Sequence, residues 1–210
     1  MRFVILCLCI LASPLAPLAA QPWRKPVKKW SDGDAKRVLT DSPWAKRTAP
    51  KRYEASATPD TGAARGPFPS LKLIVRWESG IPVMHAHRRI GSTPVSGEGD
   101  LCYVIAIAGL RIDEREAMSV LAAAEASLRY RDGDLVRATG VRVLRDIDGS
   151  PLLVFQFPKA EGIREPGVFR YPFGITFRPN EFHFAARIGP MEIKQKFTLR
   201  DMLYLRRLAL

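Results

Sequence analysis

His85 and His87 flank Ala86 within the segment Pro82 to Arg88. If that segment is extended, residues two apart project to the same side. Two imidazoles on one side begin a metal site, and zinc is the ion such a set suits best. His183 is a third candidate ligand, and Glu78 or Asp100 could complete the shell. Arg88 and Arg89 stand next to the pair and would repel a cation. Without a third ligand at a fixed spacing, the motif is unspecific, and solvated loop histidines are the simpler expectation.

Other catalytic constellations are weaker. A serine hydrolase needs an exposed nucleophile, a histidine and an orienting acid. Ser92 and Ser96 lie in a glycine-containing stretch, but Gly-x-Ser-x-Gly is absent and no strand-to-helix elbow surrounds either serine. Glu78, Asp100, Glu114 and Glu116 qualify for glycoside hydrolysis only by being acidic, because the separation that matters is three-dimensional. Gly91 to Gly99 lacks the Gly-Lys-Ser/Thr ending of a phosphate loop. Trp77 could stack on a sugar ring with Arg76 and Glu78 as polar partners, but a core tryptophan beside an edge carboxylate is the expectation. Cys102, in Leu101-Cys102-Tyr103-Val104-Ile105, reads as a small buried hydrophobe of a strand.

Charge is the broader signal. Lys and Arg number 33 against 21 Asp and Glu, a net charge of +12. Such a balance favours anionic partners. Lys25, Lys28 and Lys29 stand close to Trp23 and Trp30, and Arg88 and Arg89 adjoin the histidine pair. Basic residues with interfacial tryptophans suit an anionic glycan, membrane headgroups or an envelope protein. Most other basic residues are scattered and read as solvated surface.

The compartment follows from the first twenty residues. Arg2 precedes an unbroken apolar run from Phe3 to Leu11, and small residues and prolines lead to Ala19-Ala20 before Gln21. That order is a secretory signal peptide, too short to span a bilayer. The expected localisation is secreted or periplasmic, with nucleic acid an improbable partner. Cleavage would remove Cys7 and Cys9 and leave Cys102 alone, so no internal disulfide is expected.

The elements that must position these residues are legible in outline. Residues 21–70 read as a basic arm, a short helix and a linker. Ser31 and Asp34 match a capping box, Ala35, Val38 and Leu39 share one face, and Ser42-Pro43 suits a second helix start. Residues 71–210 read as one α+β domain, a mainly antiparallel sheet of six to seven strands with one long helix packed on a face. Leu71 to Trp77 alternates, and Leu101 to Ala108 is apolar throughout, hence covered on both faces. Glu114 to Arg131 is the expected long helix, rich in alanine and closed by Gly133. Strands follow at Val136 to Arg145, Pro151 to Phe157, Phe169 to Phe177, Glu181 to Ile188 and Met191 to Phe197. Turns fall at Asp148-Gly149, Pro179-Asn180 and Gly189-Pro190. Phe155, Phe157, Phe182 and Phe184 alternate as one sheet face should. Leu199 to Arg207, capped by Thr198 with Asp201, is expected as a last short helix, or else as a terminal strand.

Three stretches carry a resemblance: Lys29-Trp30-Ser31 through Asp41-Ser42-Pro43-Trp44-Ala45, then Val75-Arg76-Trp77-Glu78-Ser79 with Pro82, then Phe197-Thr198-Leu199-Arg200-Asp201-Met202-Leu203-Tyr204. They are similar to a group of secreted bacterial proteins of unknown function, and the last also resembles the end of GWxTD domain proteins, without the Gly-Trp-x-Thr-Asp signature. The resemblance implies secretion and a β-rich body, and no catalytic residues. The function expected is therefore a non-catalytic, envelope-associated binding protein with a basic surface. The alternatives are a small metal-dependent hydrolase built on His85 and His87, and a structural subunit assembling through edge strands.

Overall fold

A computed structural model describes residues 21–52, 71–96, 102–111, 124–130, 135–158, 181–205 and 207–210. The leader, Asp100, residues 114–123 and Arg131 of the expected long helix, Gly133, and the expected strand Phe169 to Phe177 with its Pro179-Asn180 turn lie outside them. The fold is α+β, and every strand pairing is antiparallel among the described residues.

Two short 3-10 turns, Pro22–Arg24 and Val27–Lys29, lead into helix α1 (Asp32–Thr40). Ser31 starts the helix as the sequence predicts. Its Oγ accepts from the Asp34 amide at 3.1 Å, and the Asp34 carboxylate accepts from the Ser31 amide at 2.8 Å. Ala35, Val38 and Leu39 are buried on the inner face. Ser42-Pro43 does not start a second helix. The Ser42 hydroxyl donates to the Val38 carbonyl and accepts from the amides of Trp44 and Ala45, which turns the chain directly into a strand.

The strands in chain order are β1 (Ala45–Thr48), β2 (Lys51–Arg52), β3 (Leu73–Trp77), β4 (Cys102–Ala108), β5 (Glu125–Tyr130) and β6 (Leu135–Arg137). Then come β7 (Gly140–Arg145), β8 (Pro151–Pro158), β9 (Glu181–Ile188), β10 (Met191–Thr198), β11 (Leu203–Tyr204) and β12 (Arg207–Leu208). They form two five-stranded sheets, ordered β1-β3-β4-β8-β7 and β2-β10-β9-β5-β6, and a small β11-β12 hairpin. A single sheet of six to seven strands is therefore replaced by two packed sheets. The alternating phenylalanines explain why. Phe182 and Phe184 on β9 need a second apolar surface, and Trp77, Tyr103, Phe155 and Phe157 of the other sheet supply it. Ring centroids across this seam lie 5.2 to 6.1 Å apart. Each such phenylalanine contributes roughly 1.5–3 kcal/mol by leaving water.

Both faces of β4 are buried as expected. Tyr103, Ile105 and Ile107 face the aromatic seam, while Val104, Ala106 and Ala108 join Leu152 and Val154 in a second apolar cluster. Cys102 is half-buried at the start of the strand. The hairpins at Asp148-Gly149 and Gly189-Pro190 join β7 to β8 and β9 to β10.

Three local expectations are overturned. The helix predicted through Arg131 is a strand from Glu125 to Tyr130, because Ala126 and Leu128 bury while Glu125 and Arg129 face out, a period of two. Val136 to Arg145 is two strands in different sheets, with a break at Ala138-Thr139. Pro82 to Arg88 is not extended but lies in helix α2 (Ile81–Arg89), which starts at Gly80 with Pro82 in its first turn. Proline there loses no helix hydrogen bond and presets φ. Gly80 is required for space: a Cβ on it would sit 2.6 Å from the Trp44 ring.

Candidate functional site

The helix separates the two histidines. Residues two apart on a helix point about 200° apart by the helical repeat, so His85 and His87 occupy different faces. His85 packs near the Tyr204 ring at a centroid distance of 6.1 Å, and His87 is buried. His183 lies on β9, half exposed, 3.7 Å from Glu181. Among the described residues, no three His, Cys, Asp or Glu side chains are grouped as a metal site would require.

His87 belongs instead to a buried polar chain. Its Nε2 lies 3.0 Å from Glu78 Oε2, and its Nδ1 lies 2.9 Å from Ser92 Oγ. Glu78 Oε1 accepts from Arg76 Nε at 2.5 Å, and Arg76 Nη2 donates to Asp146 at 2.9 Å. Burial alone would push the Glu78 carboxyl upward, but the adjacent Arg76 charge and the His87 hydrogen bond outweigh it. The carboxyl is held below the usual carboxylate range. Burial likewise opposes the Arg76 charge, and Glu78 and Asp146 reverse that effect, so the guanidinium stays charged. Hydroxyl, imidazole and carboxylate are connected as in a general-base relay. Yet Glu78 and His87 are enclosed, and none of the three lines the cleft described below. The chain ties α2 to β3 and to the β7–β8 turn. Trp77, the proposed sugar-stacking residue, is fully buried in the aromatic seam.

Of the expected anionic-partner residues, Lys25 is bonded to Asp34 at 2.7 Å and Arg89 to Asp32 at 3.2 Å. The first turn of α1 thus supplies carboxylates to two of the five cations. Lys28, Lys29 and Arg88 are exposed. The sequence reading placed positive charge in this region without its counter-charges.

A second cationic group lies elsewhere, in an open cleft of about 830 Å³. Arg24 enters it from the first 3-10 turn, Arg37 from the last turn of α1, Lys46 from β1, and Arg200 from the 3-10 turn Leu199–Asp201. None of the four makes an ion pair or side-chain hydrogen bond among the described residues. Asp41 and Asp201 are the acidic residues on the wall, so cations outnumber carboxylates two to one. Leu203 and Leu205, with Trp23 and Pro43, supply its apolar lining.

Buried aromatic side chains hold this cleft in shape. Trp44 Nε1 donates to the Ala209 carbonyl at 2.6 Å, and Trp23 packs edge-on against Trp44 at 6.2 Å. The Tyr204 hydroxyl accepts from the Val27 amide at 3.1 Å, and Trp30 packs edge-on against the Tyr204 ring. These contacts join residues 165 and 177 positions apart. Three of the arginines, with planar forked donors, suit phosphate, sulfate or carboxylate groups. Like charges gathered in excess of nearby carboxylates repel one another, and a bound anion relieves that cost.

Sequence reasoning missed this group, since its members come from four segments with no local motif. The tryptophans and Tyr204 that assemble it stood out only as apolar anchors. No helix among the described residues is long and apolar enough to cross a membrane. Comparison with family models, curated proteins and solved structures gives no significant match.

Proposed function

We propose that this chain is a non-catalytic binding protein of the cell envelope or extracellular space, and that it takes an anionic group of its partner into the cleft formed by Arg24, Arg37, Lys46 and Arg200. The observation that carries this reading is four cations converging on one cleft that holds two carboxylates, none of the four in an ion pair among the described residues. The expected secretory leader supports the compartment, and the net charge of +12 draws anionic partners toward the surface. The buried Ser92–His87–Glu78 chain has a sufficient structural role, and catalysis is not part of the proposal.

Titration calorimetry with dextran sulfate, a soluble polyanion, tests it. Binding should weaken as salt rises, because exposed charges are screened beyond about 10 Å at 0.1 M ionic strength. The Arg24→Ala/Arg200→Ala double variant should bind at least tenfold more weakly. The control is Lys194→Ala/Lys196→Ala on the outer side of β10, where both lysines already face glutamates. The control should lose far less. Equal losses in both doubles, or none in the first, would show that the cleft is not the site.

A further inference from the structure

The β11–β12 hairpin at the rim of the cleft breaks the ordinary rules of a tight turn. Leu203 pairs with Leu208 and Tyr204 with Arg207, so the chain reverses within two positions, the first of them Leu205. Such connections favour Gly, Asn or Asp, because their backbone requires positive φ. Leu205 has φ +49°, and it is the non-glycine residue with positive φ among those described. A branched, bulky side chain is disfavoured in that conformation. The side chain recovers nothing by burial, since it is 50% exposed, and Leu203 is 42% exposed. Neither folding nor turn chemistry accounts for a leucine at this tip, and locally inconsistent residues of this kind are expected at functional sites.

The hairpin is also firmly seated. Met202, Tyr204 and Ala209 are buried, and the Ala209 amide donates to the Met202 carbonyl at 3.2 Å. With the inner positions anchored, Leu203 on the strand and Leu205 in the turn are both left exposed. Both line the same cleft as Arg24, Arg37, Lys46 and Arg200. Exposed Arg207 continues the positive charge along the hairpin.

We infer that the cleft's anion is the phosphate of an anionic lipid headgroup, and that Leu203 and Leu205 enter the acyl boundary beside it. This rests on the anion-binding reading above and narrows it to one source. A polyanionic glycan offers charge but no apolar surface, so the two leucines would stay in water. A bilayer places hydrocarbon immediately below its phosphates, in the arrangement of leucines beside cations seen here. Anionic lipid supplies the attraction, and each arginine near such a surface accounts for about fivefold in affinity.

The test is cosedimentation of the protein, as cells produce it, with vesicles of phosphatidylglycerol mixed with phosphatidylcholine and with vesicles of phosphatidylcholine alone. Binding is expected to the mixed vesicles and to fall at least tenfold on the neutral ones. Leu203→Thr/Leu205→Asn should lose about tenfold on mixed vesicles by removal of apolar area. The same variant should keep its dextran sulfate affinity and its melting temperature, or raise the latter, since Asn tolerates positive φ. Arg24→Ala/Arg200→Ala should lose both vesicle and dextran sulfate binding.

Unchanged vesicle binding by the leucine variant would overturn the lipid inference and leave the anion site standing. So would loss of dextran sulfate binding by that variant, which would make the leucines part of the cleft's shape. Vesicle binding retained when the arginine variant has lost dextran sulfate would separate lipid from cleft and overturn it as well. Failure of the wild type to sediment with mixed vesicles would end it outright.

Discussion

Arg76 carries a full positive charge to a position that is 1% exposed, on the strand that also buries Trp77. An isolated charge there would cost several kcal/mol. Glu78, Asp146 and the Leu39 carbonyl share its donors, and His87 satisfies the other oxygen of Glu78. Removing one member of such a set leaves another charge uncompensated. Glu78→Gln should therefore lower unfolding free energy by about 3–5 kcal/mol, measured by urea denaturation. Arg76→Met/Glu78→Leu, which removes both charges, should cost less than Glu78→Gln alone. Equal losses from the single and double variants would mean that the two charges are not coupled. The sequence offered Arg76 and Glu78 as polar partners beside Trp77. The tryptophan's core role was readable from its alternation with Val75, whereas the partners Asp146 and His87 were not, being 70 and 9 positions from their bonded residues.

The elements differ in how much of their stability is local. Helix α1 carries its own start signal, and the capping box satisfies two amides at its first turn. Ser31→Ala should cost about 1 kcal/mol in thermal or urea unfolding, while Ser31→Asn should cost little. A loss under about 0.3 kcal/mol for Ser31→Ala would mean that packing of Ala35, Val38 and Leu39 alone fixes the helix. The β7–β8 hairpin is equally local, with Gly149 at φ +80° where its Asp-Gly signal predicts positive φ. Other elements take their form from neighbours. Glu125–Tyr130 has glutamate, alanine, leucine and arginine, which suit a helix by propensity. It is a strand because β9 and β6 pair with it on both sides. Conversely, His85 and His87 are in a helix because Gly80 and Pro82 initiate one and Val83 and Ala86 bury against the core.

Acid sensitivity belongs to the molecule as a whole. The Glu78 carboxyl is held below its ordinary value of 4.5, so its contribution is present above that pH and is lost as pH falls through the lower folded value. Asp34 and Asp148 shift in the same direction through bonds to Lys25 and Ser150, but Asp34 is only partly buried and Asp148 is exposed, so they contribute less. Stability should therefore fall as pH drops below 4.5, and Glu78→Gln should flatten that acid limb. Urea midpoints measured across the acid range check this. An acid limb unchanged in Glu78→Gln would assign it to other carboxylates.

Composition and local pattern were enough for the α+β class, the antiparallel pairing, the capping box of α1, two hairpins and the doubly covered strand β4. These depend on turn chemistry and on periodicities of two or 3.6, which act over a few residues. They were enough, too, for a basic protein that attracts anions, since net charge is a sum over the chain. Where the charge gathers was decided only by tertiary structure. Asp32 and Asp34 occupy two of the cations that the sequence singled out, while Trp23, Trp30, Trp44 and Tyr204 draw Arg24, Arg37, Lys46 and Arg200 into one cleft. A counter-charge and a cleft wall are both long-range contacts, and neither leaves a spacing that can be read along the chain.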